Sequence, residues 1–353
     1  MTPTPTDKSE RFETSAAGGP TSPSVLSWSC SSQDVFCAAI ESAYEKVVHW
    51  RRNVFNVPFG AHGAAFFEEL ADIINGFAEG TSVKQIAWKA ITVACHVLLQ
   101  KPTDRNSAPS FAEHLQQRLL RWKLKQIESL MDEASCIQEH LPVRLRTRHG
   151  VEKQVLSERT FANLVFSGRT QSACRYISSN SSAGVLHMED RPIPGSSKVM
   201  DVLLEKHPDP KEPPKNCLMK GPPLGVNPIL FARITPALIR DVSRRIQGSA
   251  GPSGLDADAW RRMLTCFKKS SDRLCAALAS AARSLCVDDH TKVDLSVLTA
   301  ARLIPLDKNP GVRPIAVGEV FRRIICKAVM RVIKRDVFRC TALLQLCVGV
   351  PSA

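Results

Sequence analysis

The chain has 353 residues, 44% of them hydrophobic, and 47 Lys and Arg against 34 Asp and Glu give a formal net charge of +13. That length supports one large or two ordinary domains, and the apolar share excludes a wholly disordered chain. Residues 86–99 are the longest apolar run, but Lys89 and His96 interrupt it well short of the roughly 18 residues a membrane span needs.

The opening residues carry no basic start followed by an apolar stretch, so the chain is expected to be intracellular, cytoplasmic and/or nuclear, with no membrane partner. Its positive excess points to a polyanionic partner. The twelve cysteines are scattered, with no Cys-x-x-Cys pair; a zinc finger is not expected, and most of the thiols read as reduced core residues.

The fold class read from the sequence is mainly α. Residues 1–33 are rich in Ser, Thr, Pro and Gly and are predicted to be a disordered tail. A helical N-terminal domain is predicted over 34–190. Apolar residues recur at helical spacing in Phe36, Ile40, Tyr44 and Val47, and again in Phe66, Phe67, Leu70, Ile73, Ile74 and Phe77. Two further helices are predicted over 83–99 and 111–137. The second turns Leu115, Leu119, Trp122, Ile127 and Leu130 inward and Arg118, Arg121, Lys123 and Lys125 outward, a charge run that reads as a solvated face.

Residues 191–236 form a proline-rich connector, extended apart from one short helix near 199–206. The last segment, 237–353, resumes with helices at about 236–247, 258–269 and 272–286. Between the first two lies Gly248-Ser-Ala-Gly-Pro-Ser-Gly-Leu-Asp-Ala-Asp258, a tight loop after which Asp256 or Asp258 caps a helix. No Gly-Lys-Ser/Thr follows the loop, which excludes a phosphate-binding P-loop, and an ordinary capped helix start accounts for the pattern.

Two short apolar runs, 303–306 and 312–315, flank Asp307-Lys-Asn-Pro-Gly311 and read as a β-hairpin, with Pro314 confining its strand to an edge. Lys308 and Arg313 could contact phosphate there, Lys as a point charge and Arg as a fork, although on spacing alone an exposed polar turn is the better account. A helix over 318–338 follows, with an apolar stripe and a row of like charges at Arg323, Lys327, Arg331 and Arg335. Such a row is mildly unfavourable unless an anion neutralises it. Residues 302–339 hold ten basic and three acidic side chains, more than half of the chain's excess charge.

The segment from Ala301 to Ile333, "ARLIPLDKNPGVRPIAVGEVFRRIICKAVMRVI", resembles the fingers of retrotransposon reverse transcriptases, LINE-type elements most of all. "GPSGLDADAW" is similar to the glycine-rich block those enzymes place before it, and Phe161–Asp190 and Phe55–Gly80 resemble the helical region upstream of their polymerase fold. The resemblance implies that Lys308, Arg313 and, more weakly, Arg302 cradle the triphosphate of a dNTP. It also implies that the basic helix (Arg322, Arg323, Lys327, Arg331, Lys334, Arg335) follows the backbone of an RNA or DNA template without reading sequence.

Enzymes of that family hold Mg2+ on palm carboxylates, one set in an aromatic-x-Asp-Asp hairpin downstream of the fingers. The pair Asp288-Asp289 lies upstream instead, and neither Tyr44 nor Tyr176 precedes Asp-Asp. Ala316 and Cys326 stand where the family has glycine. The resemblance ends at about 343–349, where the palm would begin, so the expectation is an N-terminal extension with fingers, no catalytic residues and no cofactor of its own. Two alternatives stand beside it. One is a non-catalytic basic nucleic-acid-binding module. The other is a C-terminal segment that never packs and leaves Val320, Phe321, Ile324 and Ile325 exposed.

Overall fold

The computed structural model describes residues 30–81, 84–102, 110–141, 150–168, 197–207, 227–308 and 311–341, with 170, 173–174, 185–186, 188–189 and 211. The predicted tail lies almost wholly outside the described residues, as do the hairpin tip 309–310, most of the connector and the chain beyond 341. The described residues are mainly helical and include one two-stranded antiparallel hairpin, as the residue pattern predicts.

Five helices precede the connector: α1 (Cys30–Val47), α2 (Ala61–Ala78), α3 (Ala87–Leu98), α4 (Phe111–Lys123) and α5 (Ile127–Glu139), with α6 (Gly150–Phe166) beyond them. Eleven of the twelve α3 residues are buried, which makes it the central helix, wrapped by α1, α2, α4 and α5. Its one position that is not fully buried, Lys89, pairs with Glu41 of α1 and with Asp294.

The single helix predicted over 111–137 is two. The Gln126 N–H donates to Arg121 O and the Lys125 N–H to Trp122 O, a Schellman closure with Lys125 in the left-handed region at φ 57°. No glycine marks that break, so the apolar spacing ran through it. Arg118 also departs from its predicted solvated face, because the turn folds α5 back over α4. Arg118 is 2% exposed and donates to both Leu98 O and Gln100 O at the end of α3, and to Glu133 of α5 at 2.8 Å.

The short connector helix forms where predicted, α7 (Val199–Lys206). Then come α8 (Pro228–Phe231), α9 (Pro236–Arg244), α10 (Ala257–Thr265), α11 (Lys268–Val287) and α12 (Ser296–Thr299). The chain continues through β1 (Ala301–Asp307) and β2 (Val312–Gly318) to α13 (Val320–Thr341).

One continuous core joins the helices on either side of the connector. α2 lies along α11, and Phe67, Leu70 and Ile74 of the first share one buried core with Leu274, Leu278 and Ala281 of the second. Arg273 bridges back to Glu68 and Asp72. Phe321 of α13 stacks on Trp88 of α3 at 5.4 Å and tilts against Trp260 of α10. Val320, Phe321, Ile324 and Ile325 are therefore buried, and the alternative that left them exposed is corrected: α3 and α10 supply the surface they need.

The cysteine reading is corrected as well. Of the described cysteines Cys95 and Cys275 are buried, with thiol pKa values raised by burial, that of Cys275 to about 11. Cys136, Cys174, Cys266 and Cys326 are exposed. Cys136 and Cys326 have apolar neighbours in sequence but lie on outward faces of α5 and α13, and Cys266 lies just past the end of α10.

Candidate nucleic-acid interface

The hairpin pairs Ala301 with Gly318 through to Asp307 with Val312, and the Lys308 N–H extends the ladder by donating to Gly311 O. Pro305 and Pro314 face each other. Pro305 O accepts from Leu186 N–H, outside the hairpin, so this is a non-hydrogen-bonded pair and neither proline breaks a ladder bond. Alternation then assigns the two faces. Leu303 and Val312 look onto Val199 and Leu203 of α7, and Lys206 Nζ donates to Val312 O at 2.6 Å. The connector helix is the platform on which the hairpin rests.

The opposite face carries all three residues that the resemblance linked to a triphosphate. Lys308 and Arg313 are diagonal neighbours at the tip, about 7 Å apart at the backbone, both exposed. Arg302 pairs with Val317 at the other end, about 13 Å along the strand from Leu306, the residue opposite Arg313, and is half-buried. The structure brings Lys308 and Arg313 together and leaves Arg302 apart from them. The side chains of Lys308 and Arg313 have no hydrogen-bond or ion-pair partner among the described residues.

The basic helix divides in a way that its sequence does not show. Arg323 donates to Gln247 O at 2.9 Å and to Ser249 O at 2.6 Å, clamping the glycine-rich loop. Gly248 sits at φ 110°, a conformation that L side chains rarely adopt, with the Arg323 guanidinium 2.7 Å from where a Cβ would stand. Arg331 pairs with Asp241 of α9. Arg322 folds back over Gly318 at the corner between β2 and α13. Lys327, Lys334 and Arg335 are exposed and unpaired among the described residues.

The loop is held from several elements at once. Asp256 is the helix cap, its Oδ1 accepting from Ala259 N–H, and Arg52 donates to Gly254 O at 2.8 Å and to Asp256 Oδ2 at 2.6 Å. The His96 Nε2–H donates to Pro252 O at 2.7 Å, and burial lowers the pKa of this imidazole, keeping it neutral. Glu319, fully buried just before α13, accepts from Ser253 N–H at 2.5 Å and from Ser253 Oγ–H at 2.7 Å. Burial is the largest influence on Glu319 and raises its pKa; the Ser253 and Val320 donors oppose it. None of Arg52, His96 and Glu319 stands out in sequence, because each is a lone polar residue whose partner lies far along the chain.

Among the described residues no group of three or more His, Cys, Asp or Glu gathers as a metal site. Asp289 accepts from Thr291 N–H and shapes the turn after α11, and its pKa is lowered by that bond. The Asp288-Asp289 pair does not fit a Mg2+ pair of the palm kind. Likewise, no described helix is long and apolar enough to cross a membrane. Comparison with protein-family models, with curated proteins and with solved structures finds no match for the chain.

Proposed function

We propose that this chain binds RNA or DNA through the phosphate backbone, without sequence preference, on fingers similar to those of retrotransposon reverse transcriptases. The observation that carries the reading is the hairpin tip: Lys308 and Arg313 are adjacent on one exposed face, with unpaired cationic ends. Two neighbouring cations that no internal carboxylate neutralises are suited to a phosphate chain, whether a template backbone or the triphosphate of a dNTP. Lys327, Lys334 and Arg335 continue the exposed charge along α13. Such a partner is found in the cytoplasm or nucleus, which is where the chain is proposed to act.

Nucleotidyl transfer is not part of this reading, because the Asp288-Asp289 pair lies upstream of the fingers-like segment, the reverse of the order the resembling enzymes use. The test is equilibrium binding of a labelled single-stranded RNA and its DNA counterpart over a range of salt concentrations. Lys308→Ala with Arg313→Ala is expected to weaken binding and to reduce the log–log salt slope by about 1.4, at roughly 0.7 per phosphate contact. Unchanged affinity and slope in the double variant would remove the hairpin from the interface. Incorporation of dNTPs on a primed RNA template by the pure chain would overturn the non-catalytic reading.

A further inference from the structure

α9 and α13 run antiparallel, because Arg331 meets Asp241 within α9 whereas Arg323 meets residues 247 and 249 just after it. Arg244 and Arg245, at the end of α9, lie between those contacts in the chain, and Lys327 lies between them on α13. Both arginines are exposed and unpaired among the described residues. Asp241 registers them nonetheless: its pKa is lowered first by the Arg331 hydrogen bond, then by the fields of Arg331, Arg245 and Arg244. Arg323 to Arg331 spans eight residues, about 12 Å of helix.

We infer that this α9–α13 seam is a second phosphodiester-binding track, in which Asp241 occupies the place of one phosphate until nucleic acid displaces it. The inference rests on the reading of the chain as a nucleic-acid binder and adds Arg244, Arg245 and Asp241 to it. Five cations against one carboxylate leave the seam strongly positive. A track of about 12 Å is long enough for about two successive phosphates of one strand, the number of contacts the arginine pair would supply. The carboxylate holds the Arg331 guanidinium in place and loses its only described ion pair when a phosphate takes over.

The experiment measures binding of the full chain to a 20-nucleotide single-stranded RNA and to a duplex DNA across a salt series, beside the hairpin variant above. Arg244→Gln with Arg245→Gln is expected to reduce the salt slope by about 1.4 on the single strand. Asp241→Asn is expected to tighten binding about two- to fivefold, since an exposed opposing charge is removed. Circular dichroism melting of each variant shows whether it is folded. If the hairpin variant weakens binding while both seam variants leave affinity and slope unchanged, the seam inference fails and the proposed function stands. If the wild-type chain shows no salt-dependent binding, both fail together. Equal affinity for a polyglutamate peptide would overturn the phosphodiester assignment.

Discussion

Glu319 and Gly251 show how much of this protein depends on one loop. An ideal Cβ at Gly251 would lie 2.9 Å from the backbone N and Cα of Glu319, and backbone cannot move aside as a side-chain end can. Gly251→Ala is therefore expected to destabilise the fold by about 1–3 kcal/mol, read as a lower denaturation midpoint in urea. Glu319 carries a signed pH prediction. Its folded pKa is raised above the ordinary 4.5, so the unfolded chain gives up this proton at a lower pH than the folded one. The stability it contributes is complete below about pH 4.5 and is lost as pH rises through the raised value. Glu319→Gln removes that dependence, so the wild-type advantage over the variant is expected to shrink as pH rises from about 4 to 8. A gap that stays constant with pH would show that the carboxyl titrates alike in both states. His96 has the opposite slope, its depressed pKa making the fold lose stability as pH falls below 6.5, and it cancels in that difference.

At the scale of elements, local pattern and tertiary context agree in most places and part in two. The helix starts at Asp256 and Ser110, the latter with a full capping box, follow from side chains that satisfy their own first turn, and such signals are local. The break at Lys125 is not local in that sense: a non-glycine residue takes the left-handed conformation because α5 must turn back to cover α3 and α4. Arg118 belongs to the same rearrangement. Removing it by Arg118→Met would leave the two carbonyls at the end of α3 without their donor and Glu133 with Arg121 as its remaining partner, and the expected loss is about 1–3 kcal/mol for each stranded carbonyl. Thermal melting of that variant is the check, and a shift no larger than that of a surface substitution would mean the solvated-face reading was right. The hairpin shows the complementary case. Its strands, turn and edge character were legible from Pro314 and the apolar runs, but not that α7 supports it, because Val199, Leu203 and Val312 are more than a hundred residues apart in part.

Across the whole molecule, the helices before and after the connector share one core, and Phe321 is where they meet. Phe321→Ala is expected to cost about 3–5 kcal/mol. Because Trp88 and Trp260 both contact that ring, a single fluorescence transition is expected to report loss of structure on both sides of the connector together. Two separated transitions, with the residues before the connector unaffected, would contradict a shared core. The charge distribution also reads differently at this scale. Residues 302–339 hold most of the excess, yet Arg323 and Arg331 have internal partners, whereas Arg244 and Arg245, outside that stretch, are unpaired and exposed.

By itself, the sequence determined the helical class, the hairpin, the connector helix and the region where positive charge concentrates. Those features depend on periodicity, proline chemistry and turn residues, all of which act over a few positions. The tertiary structure alone decided which cations remain available to a phosphate chain, that α7 carries the hairpin, and that His96, Arg52 and Glu319 converge on the glycine-rich loop. Each of these depends on contacts between residues tens to hundreds of positions apart, where burial and hydrogen-bond satisfaction, rather than local spacing, choose the partner.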